Sequence, residues 1–250
     1  MTIQPNLETA FRQQEVLKVI SGLNNFDRDR VSQVIKAATA GGATLVDIAA
    51  DPDLVKMAKG LSDLPICVSA VDPQAFLPCV EAGADLIEIG NFDTFYAQGR
   101  RFEAEEVLEL TQQTRQLLPT TPLSVTVPHI LPLDQQVELA TTLVEAGADI
   151  IQTEGGTSSN PTHSGTLGLI EKATPTLAAA SHLSQAVSVP VLCASGLSNV
   201  TIPMAIAAGA SGVGVGSAVN QLNDEIAMMA TVRSLVEALN TIQRRSLVHP

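Results

Sequence analysis

The feature that most constrains this chain is a repeat. GGATLVDIA begins at residue 41, EAGADLIEIG at 81, EAGADIIQTEG at 145 and AAGASGVGVGS at 207. In each copy an alanine-rich segment stops at a glycine (Gly42, Gly83, Gly147, Gly209), and an apolar run follows at once. Glycine there takes the left-handed cap conformation that a side chain would oppose. Each copy therefore predicts a helix that ends and turns directly into a strand, the mark of a fold built by repetition.

Further apolar runs fill the intervals. Strands are predicted at 16–20, 43–49, 65–70, 84–89, 122–127, 148–153, 190–195 and 212–216. Helical periodicity follows them, for example at Asp29–Ala40, Ala104–Leu118, Leu133–Glu145 and Ile226–Arg244. This is βα eight times over 250 residues, the length and alternation of an α/β chain that closes as a (β/α)₈ TIM barrel. The repeats supply the second, fourth, sixth and eighth strands, as though four two-strand quarters made the barrel. No linker interrupts the chain, so residues 1–250 read as one domain. The long polar loops at 91–103 and 154–167 follow strands, and would lie on the face where barrels carry their working loops.

Composition agrees. Hydrophobic residues make up 45% of the chain but only six Phe and one Tyr are aromatic, so Ala, Val, Ile and Leu must build the core. The net charge of -12 is the wrong sign for a nucleic-acid or anionic-membrane surface. Cys67, Cys79 and Cys193 lack metal spacing and read as reduced, buried thiols. A polar N-terminus without an apolar signal segment, and no apolar stretch of membrane-spanning length, predict a cytoplasmic protein.

The sharpest chemical signal lies near the end. The seventh strand closes on Ala194-Ser195-Gly196-Leu197, and the eighth unit reads Gly212-Val-Gly-Val-Gly-Ser-Ala-Val219. Barrels of the phosphate-binding type hold the anion between the loop after strand seven and a short helix after strand eight. Glycines let the backbone approach, and helix-start N–H groups favour negative charge. Ser195, Gly196, Gly216, Ser217 and Ala218 are the candidate donors. The alternative is that these glycines only let the last strand pack against the first.

Superposing the repeats aligns Asp47, Glu88, Gln152 and Gly214, which predicts a polar layer inside the barrel. Lys18, in the middle of the first strand, is its expected partner, because unpaired buried carboxylates are costly. Lys18 is then either a structural ion pair or a base or imine-forming amine with its pKa lowered by burial. One layer nearer the mouth the repeats align Ala49, Gly90, Glu154 and Gly216, making Glu154 a candidate acid–base group. Cys67, Ser69, Ser124, Thr126, Cys193 and Ser195 are further inward candidates. His129, directly after strand five, is either a proton shuttle or a packed loop residue. His163 falls in a loop that suits a lid, while His182 and His249 read as helix-surface and tail residues. The loop after strand four gathers Phe92, Phe95, Tyr96 and Phe102 beside Arg100 and Arg101. That clustering suggests a lid or, preferably, the interface of a homodimer.

VISGLNNFD at 19–27, EIGNFDTFYAQGRRF at 88–102, QTEGGTSS at 152–159 and the run from Cys193 to Asn223 together resemble one family. It is the hypothetical chloroplast reading frame twenty-three family of cyanobacteria and red-algal plastids. The resemblance covers nearly the whole chain. It implies the barrel and a cytoplasmic or stromal setting, and carries no activity and no catalytic residues.

Three functions fit these observations. The first is a lyase, isomerase or aldolase of a small phosphorylated metabolite, with Lys18, Asp47, Glu88, His129 and Glu154 as catalytic candidates and no metal. The second is an oxidoreductase holding FMN by its phosphate at the same site. The third is a non-catalytic barrel that senses a metabolite or docks a partner through the aromatic loop. Fold alone does not separate them.

Overall fold

The computed structural model describes residues 3–246, so His249 lies outside the described residues. Eight parallel strands close on themselves in sequence order. They are β1 Val16–Ile20, β2 Leu45–Ala49, β3 Ile66–Ala70, β4 Leu86–Ile89, β5 Leu123–Thr126, β6 Ile150–Gln152, β7 Val191–Ala194 and β8 Gly212–Val215. Around them run α1 Pro5–Arg12, α2 Arg28–Gly41, α3 Pro52–Leu61, α4 Phe76–Glu81, α5 Asp93–Tyr96, α6 Ala104–Leu117, α7 Leu133–Glu145, α8 Gly165–Ala186, α9 Ile202–Ala207, α10 Ser217–Asn220 and α11 Glu225–Ser246. The barrel expected from the repeats is what forms.

The repeats act at both ends of their joints. Gly42, Gly83, Gly147 and Gly209 all adopt positive φ, between 86° and 108°, as the cap requires. In three copies the polar residue that follows staples the base of the barrel. The backbone N–H groups of Leu17, Ile66 and Leu123 donate to Thr44 Oγ1 (3.0 Å), Asp85 Oδ2 (2.7 Å) and Asp149 Oδ2 (2.8 Å). Each is a first or second residue of the preceding strand, whose amide would otherwise lack a partner at the sheet's end.

Side chains alternate along every strand between two cores. The outward set packs against the helices, with Leu17, Val19, Val46, Ile48, Val68, Ile87 and Val125 among its members. Inside, the lowest layer holds Val16, Leu45, Cys67, Leu86, Ile150 and Leu192, closed from below by Leu7 and Phe11 of α1. The polar N-terminal sequence gave no hint of this stopper. Leu7 and Phe11, four apart on one helical face, do most of the sealing, with Ile3 and Ala10 packed beside them.

One expected orientation is corrected. Cys193 points outward, where its thiol meets Thr176 of α8 at 3.6 Å, because Leu192 and Ala194 take the inward positions of β7. Burial pushes the Cys193 thiol up to about 11, which keeps it protonated and unreactive.

Candidate active site

The polar layer predicted from the repeats forms one step above the apolar floor. Lys18 Nζ donates to Glu88 Oε2 at 2.5 Å, and both side chains are fully buried. Ser124 Oγ donates to the same carboxylate oxygen at 2.9 Å, while Gln152 Nε2 donates to Glu88 Oε1 at 2.7 Å. Ser69 Oγ donates to Asp47 Oδ1 at 2.5 Å, and Asp47 Oδ2 has no protein partner. Asn91, held in left-handed backbone at φ 61°, reaches down to Glu88 Oε1 at 3.2 Å.

This layer is a sealed charge cluster. Burial alone would lower the Lys18 pKa, but the Glu88 and Asp47 carboxylates outweigh it and raise the pKa above the ordinary lysine value. Burial also pushes Asp47 up to about 6, against the pull of Lys18 and with the push of Glu88. The geometry runs counter to a Lys18 amine whose pKa burial has lowered. None of Lys18, Asp47 and Glu88 lines an open cavity.

The open site lies one layer higher, at the strand C-termini. A cavity of about 330 Å³ is walled by residues from the ends of β1, β4, β6, β7 and β8. Its lining includes Ser195, Gly196, Gly216 and Ser217 together with Asp93 and Glu154, and Ser195 Oγ donates to Asp93 Oδ2 at 2.9 Å. Ser195 and Gly196 are both left-handed, at φ 77° and 74°, so the chain turns sharply as it leaves β7. A side chain at Gly156 would run into the Gly196 backbone, which fixes the loops after β6 and β7 against each other. α10 is held in place from two sides: Asn220 Nδ2 donates to Ile20 O at 2.7 Å, and Arg30 donates to Leu222 O at 2.5 Å. Ala218 borders a separate outer recess with Ser198 and Ser234 instead of the cavity.

Glu154 is 3% exposed and strongly organised. Its Oε1 accepts from the Tyr96 hydroxyl at 2.6 Å and from the His129 backbone N–H at 3.2 Å, and lies 3.2 Å from His129 Nδ1. Its Oε2 accepts from the Asp93 N–H at 3.1 Å. Burial raises the Glu154 pKa, with Asp93 adding to the rise and the hydrogen bonds from His129 and Tyr96 opposing it. Burial would lower His129, but Glu154 and Asp93 outweigh it and raise its pKa. His129 Nδ1 also lies 3.5 Å from Asp93 Oδ1, so the ring bridges the two carboxylates that line the cavity. Asp93, Glu154 and His129 are also close enough to present three ligand atoms within 4.8 Å of one another. Their donors already satisfy most of that acceptor capacity.

Asp93 was not among the residues singled out from sequence. Its carboxylate accepts from Gly155 N at 3.2 Å, from Ser195 Oγ at 2.9 Å and from Ser158 Oγ. The loop between β4 and α6 thereby clasps those after β6 and β7. In the sequence Asn-Phe-Asp reads equally well as a turn and helix cap, so only the fold exposes the role.

The aromatic loop packs largely on itself. Phe92 and Phe102 are fully buried, with ring centroids 4.4 Å apart, and Phe95 packs on Phe102 at 5.5 Å. Arg100 lies over the Phe102 ring at 4.4 Å. Phe92 and Phe102 fill the gap beneath their own loop, while Phe95 and Tyr96 stay partly exposed. The loop carrying His163 is likewise tied down, since Thr162 N and His163 N donate to Glu171 Oε2 at 2.8 and 3.1 Å.

A larger recess of about 650 Å³ opens on the opposite face beside α1. Glu8, Arg12, Asp149 and three serines line it, but barrels work at the other end. Among the described residues no helix is long and apolar enough to cross a membrane.

The fold and cavity define the class: a single (β/α)₈ barrel with an acid–base cluster at the carboxyl ends of its strands. Residues 3–245 match the family model described as Protein of unknown function (DUF561), and the chain belongs to that family. It is 46% identical to the uncharacterized protein ycf23 of Cyanophora paradoxa, covering 96% of each chain. To its counterpart in Porphyra purpurea it is 40% identical, covering 96% of this chain and 91% of the other. Solved structures share the fold at low identity. A thiamine phosphate pyrophosphorylase from Pyrococcus furiosus superposes with a TM-score of 0.61 at 18% identity, over 92% of this chain and 98% of that one. A deoxyribose phosphate aldolase from Aeropyrum pernix gives 0.62 at 15%, over 95% and 94%.

Proposed function

We propose that this protein is an enzyme acting on a small phosphorylated metabolite by proton transfer, as an isomerase or lyase. The observation that carries the reading is one cavity lined by both glycine-rich turns and a buried carboxylate. Gly196, Gly216 and Ser217 offer backbone and hydroxyl donors to a phosphate, and Glu154 lines the same space as acid or base. A cavity of about 330 Å³ suits a ligand of metabolite size. The barrel neighbours, whose names include phosphate substrates or products, agree with this.

The chemistry follows from the environment of Glu154. A carboxyl with a raised pKa passes a proton more readily near neutral pH than an ordinary carboxylate does. His129 and Tyr96 hold it at a fixed position, and His129 can take up or return the proton from behind. Asp93 orients the assembly through its backbone N–H. Lys18 serves in this reading as the counter-charge of Glu88, and forms no imine.

The test is titration with inorganic phosphate followed by amide chemical shifts. Perturbation at Gly196, Gly216 and Ser217, lost in Gly196→Val, is the expected result. Saturating phosphate that leaves those amides unmoved would overturn the reading.

A further inference from the structure

Resting on the reading of the cavity as a phosphate-ester site, we propose that Asn91 determines specificity there. Its Oδ1 accepts a hydrogen bond from a hydroxyl of the ligand, which makes the ligand a hydroxylated phosphate ester.

Asn91 joins the two layers. It lines the open cavity, and its Nδ2 reaches Glu88 Oε1 at 3.2 Å and Ser69 Oγ at 3.4 Å in the layer below. Glu88 is ionised against Lys18, so both its oxygens can only accept. The Ser69 hydroxyl gives its proton to Asp47 Oδ1 at 2.5 Å, so towards Asn91 it also accepts. An amide facing two acceptors must present its NH₂ group. The flipped amide would set oxygen against a buried carboxylate.

Gln152 shows the strength of that constraint. Its Nε2 donates to the same Glu88 Oε1 at 2.7 Å, and its own Oε1 is left buried without a partner. Glu88 thus turns both amides nitrogen-first, even where an oxygen is stranded inside the barrel. The corresponding oxygen of Asn91 has a different fate. With Nδ2 turned down to the sealed layer, Oδ1 is left to the cavity that Asn91 lines, and no described residue donates to it. The backbone has little freedom to swing it away. Asn91 sits at φ 61° directly after Gly90, where a side chain would strike Thr126.

A fixed acceptor selects its partner. A phosphate, carboxylate or keto oxygen placed against Oδ1 would meet oxygen with oxygen, whereas a hydroxyl donates. The carboxylate behind Asn91 is already matched by Lys18 at 2.5 Å, so a neutral donor suffices. A site built on such a bond rejects the analogue that lacks the donor, because the protein group is left unpaired.

The experiment is calorimetric titration of the wild-type protein at pH 7 with glycerol 1-phosphate, propyl phosphate and inorganic phosphate. The two esters share a carbon skeleton and differ in their hydroxyls. Glycerol 1-phosphate should bind at least about tenfold more tightly than propyl phosphate, about 1.4 kcal/mol. In Asn91→Gly, which suits the left-handed backbone, that preference should fall to within about threefold while propyl phosphate keeps its wild-type affinity. A structural role alone would weaken both esters alike and preserve the preference. Equal affinity of the esters for the wild type, or a preference that survives Asn91→Gly, would overturn the role of Asn91 and leave the phosphate reading standing. Failure of all three ligands to bind would overturn both. A second measurement needs no variant: the side-chain carbonyl carbon resonance of Asn91 should shift with glycerol 1-phosphate and not with propyl phosphate. A resonance unmoved by saturating glycerol 1-phosphate would equally overturn the assignment.

Discussion

Replacing Lys18 by Met keeps the length of the side chain and removes its charge. Glu88 then loses the ammonium at 2.5 Å, in a site with no access to water. Breaking one partner of a buried ion pair costs about 3–5 kcal/mol, because the other charge is left uncompensated. For a barrel of this length each kcal/mol lowers Tm by roughly 2–4 °C, so Lys18→Met should melt roughly 6–20 °C below the wild type. Adding Glu88→Gln removes the stranded charge while keeping an oxygen for the amide of Gln152. The double variant should therefore be more stable than Lys18→Met alone, with a coupling energy of about 2 kcal/mol or more. Lys18 also holds the Asp47 pKa down, so its loss lets Asp47 protonate more readily. The penalty should consequently be smaller at pH 5 than at pH 8. Differential scanning calorimetry of the two single variants and the double, at both pH values, measures every term. A Lys18→Met protein melting within about 2 °C of the wild type would refute the counter-charge role.

The other predictions are independent of that cycle. Asp47 has a folded pKa raised from 3.8 to about 6, so the folded state binds the extra proton. Its contribution is present below pH 3.8 and lost as pH rises through about 6, a fall of about 3 kcal/mol; Asp47→Asn should flatten that part of the stability curve, and an unchanged slope would count against it. His129, also raised, adds stability below its ordinary value that is lost as pH climbs through the raised one; direct titration of the ring by NMR should give a pKa above 6.5, returning toward normal in Glu154→Gln. Tyr96→Phe should cost about 1.5–3 kcal/mol by removing a hydrogen bond to a buried carboxylate, read by chemical denaturation, with a loss under about 0.5 kcal/mol contradicting the geometry. Gly156→Ala should cost about 1–3 kcal/mol, since the obstacle it meets is backbone at Gly196 and cannot rotate away; a neutral effect would mean the two loops are not in contact.

What the sequence conveyed about this molecule depended on periodicity. Alternation along a strand and the register of the four repeats are both strictly periodic, so the inward column of Asp47, Glu88, Gln152 and Gly214 could be found by superposition. The turn at Gly196 was legible because its positive φ favours that residue. Cys193 was misdirected because β7 alternates Leu and Ala against Cys and Ser, and Cys193, in the more polar set expected to face the polar interior, turns toward α8 instead. Asp93 and the closed aromatic cluster were hidden for a different reason. They belong to a non-repeating loop whose partners, Gly155, Ser195 and Phe102, are fixed only once the barrel has set the strand ends side by side. The division between a sealed Lys18 layer and an open Glu154 layer has the same origin. One step along a strand separates them, and sequence distance does not say which step meets water.

The clasp made by Asp93 bears on how such a molecule diversifies. Barrel loops are usually thought of as separate modules, each free to lengthen or change its composition. Here one carboxylate ties three of them together, so an insertion after β6 that displaced Gly155 or Ser158 would also disturb the turn at Ser195. New specificities on this scaffold should therefore arise by concerted replacement of the three loops, and grafting any one of them alone into a related barrel should transplant little.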